Sequence, residues 1–339
     1  MFYEHQTSDN TRLNRLTINT LEVDLAGQHQ SPPHRCEINF TSQLPVEVTA
    51  YLDASISDST RRAYVGDLAH FEAWGGTIPA SDGMVARYLA EHAGTLSVAT
   101  LVRRLATISK AHAAKGLVSP TASALVRATM QGIKRRWGTA QAQAKPLMRD
   151  DLFALLERIG DDRRGMRDQA LLLIGFAGGF RRSELVGLDL GDVEHVRQGL
   201  IVHLRRSKTD QLGAGRKIAI PFGRTRWCPV NAIDHWLQVS GIDLGPLFRP
   251  INRHGHVLDQ RLSGEAVSII VKERLQKAGI DPFGYSGHSL RAGFATSAAL
   301  AGASTWKIRA QTGHASDAML ARYIRDGNAF INNAAGLIL

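Results

Sequence analysis

Apolar residues recur at helical spacing through most of the chain. Tyr64, Leu68, Phe71 and Trp74 follow the cap candidates Ser57 to Thr60 at intervals of three and four, and Gly75-Gly76 supplies a stop. Ser81 opens a second helix through Val85 and Leu89. Val98, Leu101, Leu105 and Ile108 mark a third, with Arg103, Arg104, Thr107 and Lys110 on its other side. A fourth, from about Thr121, turns Ala122, Leu125, Val126, Met130, Ile133 and Trp137 inward and Arg127, Gln131, Lys134 and Arg135 outward. Residues 149–159 and 168–176 read as helices, and 193–196, 199–205 and 216–220 as short strands of one small sheet. Helices resume over 230–239, 263–278, 290–301, 305–312 and 317–325.

This pattern predicts a mainly α fold with a small antiparallel β-sheet in two domains. Residues 1–45 are polar and irregular and form a tail; 46–138 form a helical domain; 139–147 form a linker with little to pack; 148–325 form the second domain; and 326–339 end the chain. A length of 339 residues agrees with two domains. The most apolar stretch, 170–180, is glycine-broken and far short of the roughly 20 residues that span a bilayer. No secretory leader pattern opens the chain, and Cys36 and Cys228 fit no paired spacing, so a cytoplasmic setting is expected.

Charge changes the picture. The net charge is +10, which makes a polyanion the first partner to consider. Between Glu91 and Asp150 no acidic residue occurs, while Arg103, Arg104, Lys110, Lys115, Arg127, Lys134, Arg135, Arg136, Lys145 and Arg149 do. Solvated helix faces usually mix signs, since like charges at helical spacing repel. The third and fourth helices therefore read as a DNA-binding surface, with Arg103, Arg104, Lys110, Arg127, Lys134, Arg135 and Arg136 for phosphates and Gln131 able to reach base edges.

A second constellation lies further along. Arg181 and Arg182 follow Gly178-Gly179-Phe180 at the end of an apolar helix, and Glu184 three residues on reads either as a helix-start cap or as a support for Arg181. Lys208 sits in the turn between two predicted strands, His288 and Arg291 share a helix face, His314 follows Gly313, and Tyr323 comes nine residues later. His254 and His256 have no carboxylate or cysteine partner nearby, so a polar loop explains them better than a metal site.

The segments Gly179-Phe180-Arg181-Arg182-Ser183-Glu184-Leu185, His288-Ser289-Leu290-Arg291, Gly313-His314 and Arg322-Tyr323, in that order, resemble the signature of the tyrosine recombinases, the phage integrase family, in a layout similar to its Cre and Xer types. Lys208 resembles the family's strand-turn lysine. The resemblance implies a two-domain DNA clamp: a SAM-like helical core-binding domain and an α+β catalytic domain. Tyr323 would attack the phosphodiester to form a 3′-phosphotyrosine, while Arg181, Arg291 and His314 grip the phosphate. His288 would assist phosphate binding and take the phenolic proton, and Lys208 would protonate the departing 5′ oxygen. Arginines replace the metal ion used by many nucleases, so no cofactor is expected. The implied partners are double-stranded DNA with inverted-repeat half-sites and a homotetramer on two duplexes, a dimer per site, exchanging strands through a Holliday junction. The resemblance also implies that the C-terminal segment docks on a neighbouring subunit, with packing on its own domain as the alternative. Two rival readings share these residues: DNA relaxation of the type IB topoisomerase kind, and a catalytically silent architectural DNA binder.

Overall fold

The computed structural model describes residues 51, 55–140, 143–205, 215–327 and 338, and the chain divides into two units, Met1–Thr139 and Ala140–Leu339. The 1–45 tail, Cys36, Lys208, the side chain of Arg322 and most of the C-terminal segment lie outside the described residues.

Among the described residues of the first unit four helices surround a core: α1 (Asp58–Ala73), α2 (Asp82–His92), α3 (Val98–Ala114) and α4 (Ala124–Trp137). Each begins at a serine, Ser57, Ser81, Ser97 and Ser123, whose hydroxyl accepts a bond from an otherwise unpaired N–H of the first turn. A cap of this kind contributes about 1 kcal/mol. A 3-10 turn, Pro120–Ala122, intervenes before α4, so that helix starts later than the sequence pattern predicts. Phe71, Tyr88, Leu89, Leu101, Ile108, Val126, Met130 and Ile133 form the core.

Three expectations for this unit need correction. Leu125 and Trp137 are half exposed, because the inward stripe of α4 runs through Val126, Met130 and Ile133. Trp137 instead lies along Gly94, where a Cβ would come within 2.6 Å of the indole, with the Arg136 guanidinium 5.8 Å from its ring. Arg104 is not on an outward face: it is buried and donates to Tyr88 Oη at 2.7 Å and His70 Nδ1 at 2.8 Å. Arg103 remains half exposed but grips buried Asp67 with two bonds of 2.7 and 2.8 Å, and Thr107 adds a third at 3.3 Å. Burial alone would raise the Asp67 pKa; the bonds and charge of Arg103, with Thr107 and Arg104, pull it below the ordinary carboxylate value instead. A buried carboxylate on α1 thus draws the polar stripe of α3 inward.

The second unit comprises α5 (Arg149–Leu156), α6 (Arg163–Ala177), α7 (Arg182–Gly187), a 3-10 turn (Leu190–Asp192), β1 (Val193–Val196), β2 (Gly199–Leu204), β3 (Arg216–Pro221), α8 (Pro229–Ser240), α9 (Gly264–Lys277), α10 (Ser289–Leu300), α11 (Thr305–Thr312) and α12 (Asp317–Gly327). The strands form an antiparallel sheet in the order β1-β2-β3, with Val202 opposite Val193 and Ile218. Helix α6 is its axis: Ala170 to Ile174 are all buried, against α8 on one side and α10 on another. The Asp162 carboxylate accepts from Gly165 N at 2.7 Å, which starts α6 five residues before the predicted 168. Asp168 on α6 bonds both Arg167, at 2.6 Å, and Arg274 of α9, at 2.5 Å, all three buried.

The predicted linker is shorter than expected. Leu147 is fully buried in the second core, its N–H donating to Ser289 O at 3.0 Å, and Lys145 N–H donates to Gly284 O at 2.8 Å. The chain passes so close to α10 that a Cβ on Gly293 would lie 1.8 Å from Leu147 O. Among the described residues no helix is long and apolar enough to cross a membrane.

Candidate active site

Helix α6 ends at Gly178, and Gly179 turns the chain with φ +57°, a left-handed conformation that glycine adopts without steric cost. Phe180 then plugs into the core and Arg181 becomes the N-cap residue of α7. Glu184, one turn on, accepts from the Arg181 N–H at 2.9 Å and from its guanidinium at 2.5 Å. The two readings of Glu184 from the sequence, cap and support, therefore hold together in one side chain. The other terminal nitrogen of Arg181 donates to Gly313 O at 3.2 Å.

Helix α10 brings in the next pair. Arg291 is 1% exposed and donates from Nη1 to Gly179 O at 2.8 Å and to Thr312 O. Its Nη2 is buried and has no hydrogen-bond partner among the described residues. Burial, and then the charge of Arg181, lowers its pKa to about 10. His288, exposed at the start of α10, lies with Nε2 3.2 Å from Tyr323 Oη. The tyrosine ring projects from α12, packs on the small cluster of Ala295, Ala299, Ile308 and Leu320, and meets the His314 ring at 5.6 Å between centroids.

His314 follows α11 across Gly313, whose φ of +65° is left-handed. The imidazole is buried, with Nδ1 2.7 Å from Thr312 Oγ1. Burial first, then the charges of Arg291, Arg181, His288 and Arg216, push its pKa down to about 3, so the ring is neutral at physiological pH.

Arg181, Glu184, His288, Arg291, His314 and Tyr323 are thus brought into one site, from three helices (α7, α10 and α12) and the turn after α11 of the second unit. Two members escaped sequence reasoning. Arg216, at the first position of β3, donates to Gln311 O at 3.1 Å and reaches Glu184 at 3.4 Å, and burial lowers its pKa against the opposing pull of Glu184. It also explains Gly313 sterically, since a Cβ there would lie 2.3 Å from its Nη1. Alternation was the signal available: Arg216 shares a strand face with buried Ile218 and Ile220. Thr312, fully buried, is the other. Among the described residues no group of three or more His, Cys, Asp or Glu is placed to hold a metal ion.

The family model of the phage integrase family matches residues 145–329, a span that contains every residue of this site. The chain belongs to that family. An integrase/recombinase xerD homolog of Selenomonas ruminantium is 38% identical over 307 residues, covering 88% of this chain and 90% of the relative. The recombinase cre of Escherichia phage P1 is 26% identical over 251 residues, covering 68% and 71%. Among solved structures, a lambda integrase tetramer bound to a Holliday junction superposes with a TM-score of 0.57 at 18% identity, over 83% of this chain and 78% of that one. The fold is that of a tyrosine recombinase, mostly helical with a three-stranded antiparallel sheet, and the chain is an enzyme of the class that cleaves and rejoins DNA.

Proposed function

We propose that this recombinase cleaves each DNA strand with Tyr323 as nucleophile. The phenolic oxygen bonds to the scissile phosphorus, the bond from phosphorus to the 5′ oxygen breaks, and a 3′-phosphotyrosine holds the ester until a 5′ hydroxyl from the partner duplex reverses the step. Arg181 and Arg291 neutralise the non-bridging oxygens, His314 donates to one of them, His288 accepts the phenolic proton, and Lys208 protonates the departing 5′ oxygen. Glu184 fixes the Arg181 fork through two bonds. The observation that carries this reading is the 3.2 Å approach of Tyr323 Oη to His288 Nε2 beside two guanidiniums, one with a buried, unmatched donor. An anionic oxygen satisfies that donor, whose desolvation otherwise goes uncompensated.

Exchange between duplexes then runs through a Holliday junction in a homotetramer, a dimer on each site of inverted half-sites, as the lambda integrase tetramer occurs on such a junction. The enzyme works in the cytoplasm, where its DNA is. The basic face of α4 (Arg127, Gln131, Lys134, Arg135, Arg136), with Lys110 of α3, contributes the DNA contacts of the first unit.

The test is a nicked duplex, carrying the site recovered from host DNA bound to the protein, from which the cleaved end diffuses away. The native enzyme accumulates a covalent adduct on it, and Tyr323→Phe binds with unchanged affinity and forms none. Adducts in the phenylalanine variant would refute the assignment.

A further inference from the structure

We propose that the Thr312 hydroxyl is a positioning group that sets the tautomer of His314: it donates to Nδ1, so the uncharged ring carries its proton on Nε2 and donates from there to a phosphate oxygen. The role of the phosphate rests on the function proposed above; the tautomer itself does not.

Thr312 Oγ1 lies 2.7 Å from Ile308 O and 2.7 Å from His314 Nδ1. A hydroxyl carries one proton and serves one of these acceptors at a time. If it turns to Ile308, Nδ1 must carry the imidazole proton and Nε2 becomes a bare lone pair. If it turns to His314, Nδ1 accepts and Nε2 carries the proton. Ile308 loses little in the second arrangement, because its carbonyl lies within α11, where the Thr312 N–H is its main-chain partner at i+4.

The surroundings decide between them. His314 feels Arg181 from α7, Arg216 from β3 and His288 and Arg291 from α10, its ring meets Tyr323 of α12, and burial together with these charges keeps the ring uncharged; Glu184 bonds the Arg181 and Arg216 guanidiniums. An uncharged imidazole has one N–H only. Two guanidiniums at this site select for an anion, and a bare Nε2 lone pair turned to an anionic oxygen repels it, whereas Nε2–H attracts it. Thr312 is fully buried and held on its other side, its Cγ2 lying 2.9 Å from where a Cβ of Gly179 would be, so the hydroxyl has little freedom to leave His314.

The experiment is nitrogen NMR on the full-length chain with labelled histidine, the His314 signals assigned by loss in His314→Gln, recorded at neutral pH without and with inorganic phosphate as probe. With phosphate, the native protein and Thr312→Ser show Nε2 protonated and Nδ1 bare. Thr312→Val loses that pattern, giving the opposite tautomer or a mixture. A native spectrum with the proton on Nδ1 in the presence of phosphate overturns the proposal, as does Thr312→Val with an unaltered tautomer. If Thr312→Val fails to fold, the native and Thr312→Ser spectra still decide. On the nicked duplex, Thr312→Val slows adduct formation about tenfold and Thr312→Ser about twofold or less, the order expected for one weakened hydrogen bond to a developing anion. Failure of the native enzyme to form adducts would count against the function and leave the tautomer result standing.

Discussion

His314 shows how a side chain is tuned by position rather than by its own chemistry. An imidazole ordinarily titrates at 6.5; here burial and neighbouring cations bring it to about 3. Across that interval the unfolded chain binds a proton that the folded site refuses, so folding stability falls as pH falls through the window and is insensitive to this group above it. Replacing His314 with glutamine removes the coupling. The urea midpoint of the variant should drop less than that of the native protein between pH 7 and pH 4; parallel curves would show that His314 is not the group responsible. The motif around His314 was legible because its residues are unusual in combination, whereas its environment was not. Arg216 and Thr312 act on it from β3 and from the last turn of α11, and nothing in local spacing says that those two elements meet there. Arg104 failed for a related reason. Helical periodicity gives the angle of a side chain about its axis, but only the placement of Asp67, His70 and Tyr88 decides that this angle leads into a polar interior.

At the scale of elements, helix ends and strand alternation carried most of what the sequence revealed. The serine caps of α1 and α2 and the alternation of β3 are local rules, and those elements form where the rules put them, whereas α4 waits for its cap at Ser123 behind a 3-10 turn. The end of the linker is not legible because Leu147 directly follows the small and polar run 139–146, and its burial comes from the second core and from the close passage of its backbone by Gly293. Nor did spacing reveal how α6 is tied to α9, since Asp168 and Arg274 stand 106 positions apart. That tie makes a sharp prediction. Asp168 shares its carboxylate between two buried arginines, so Asp168→Ala leaves two uncompensated charges in a dry interior. The expected loss is about 3–5 kcal/mol, from the cost of breaking a buried pair on one side only. Urea unfolding measures it. A loss under about 1 kcal/mol, the range of surface ion pairs, would show that water reaches the trio.

For the whole molecule, the question is where the excess positive charge acts. The net charge of +10 does not by itself locate a DNA surface, because part of the basic stretch is spent internally. Arg103 is matched to Asp67, and Arg104 is enclosed with it. Arg127, Lys134, Arg135 and Arg136 on α4 form no ion pair with any described residue, and all but Lys134 are exposed. Neutralising a phosphate releases a condensed counterion, so each such cation steepens the fall of log affinity with log salt by about 0.9. Removing three of them together, in Lys134→Ala/Arg135→Ala/Arg136→Ala, should reduce that slope by up to about 2.7 on duplex DNA of arbitrary sequence. Arg103→Ala, already neutralised in the free protein, should change it by well under one while lowering the thermal stability of the first unit, because Asp67 is left buried with its principal partner gone. Salt titrations of DNA affinity by fluorescence anisotropy separate the two outcomes. If Arg103→Ala flattens the slope as much as one of the α4 changes, then Arg103 leaves Asp67 for phosphate on binding, and the face of α3 belongs to the DNA surface after all.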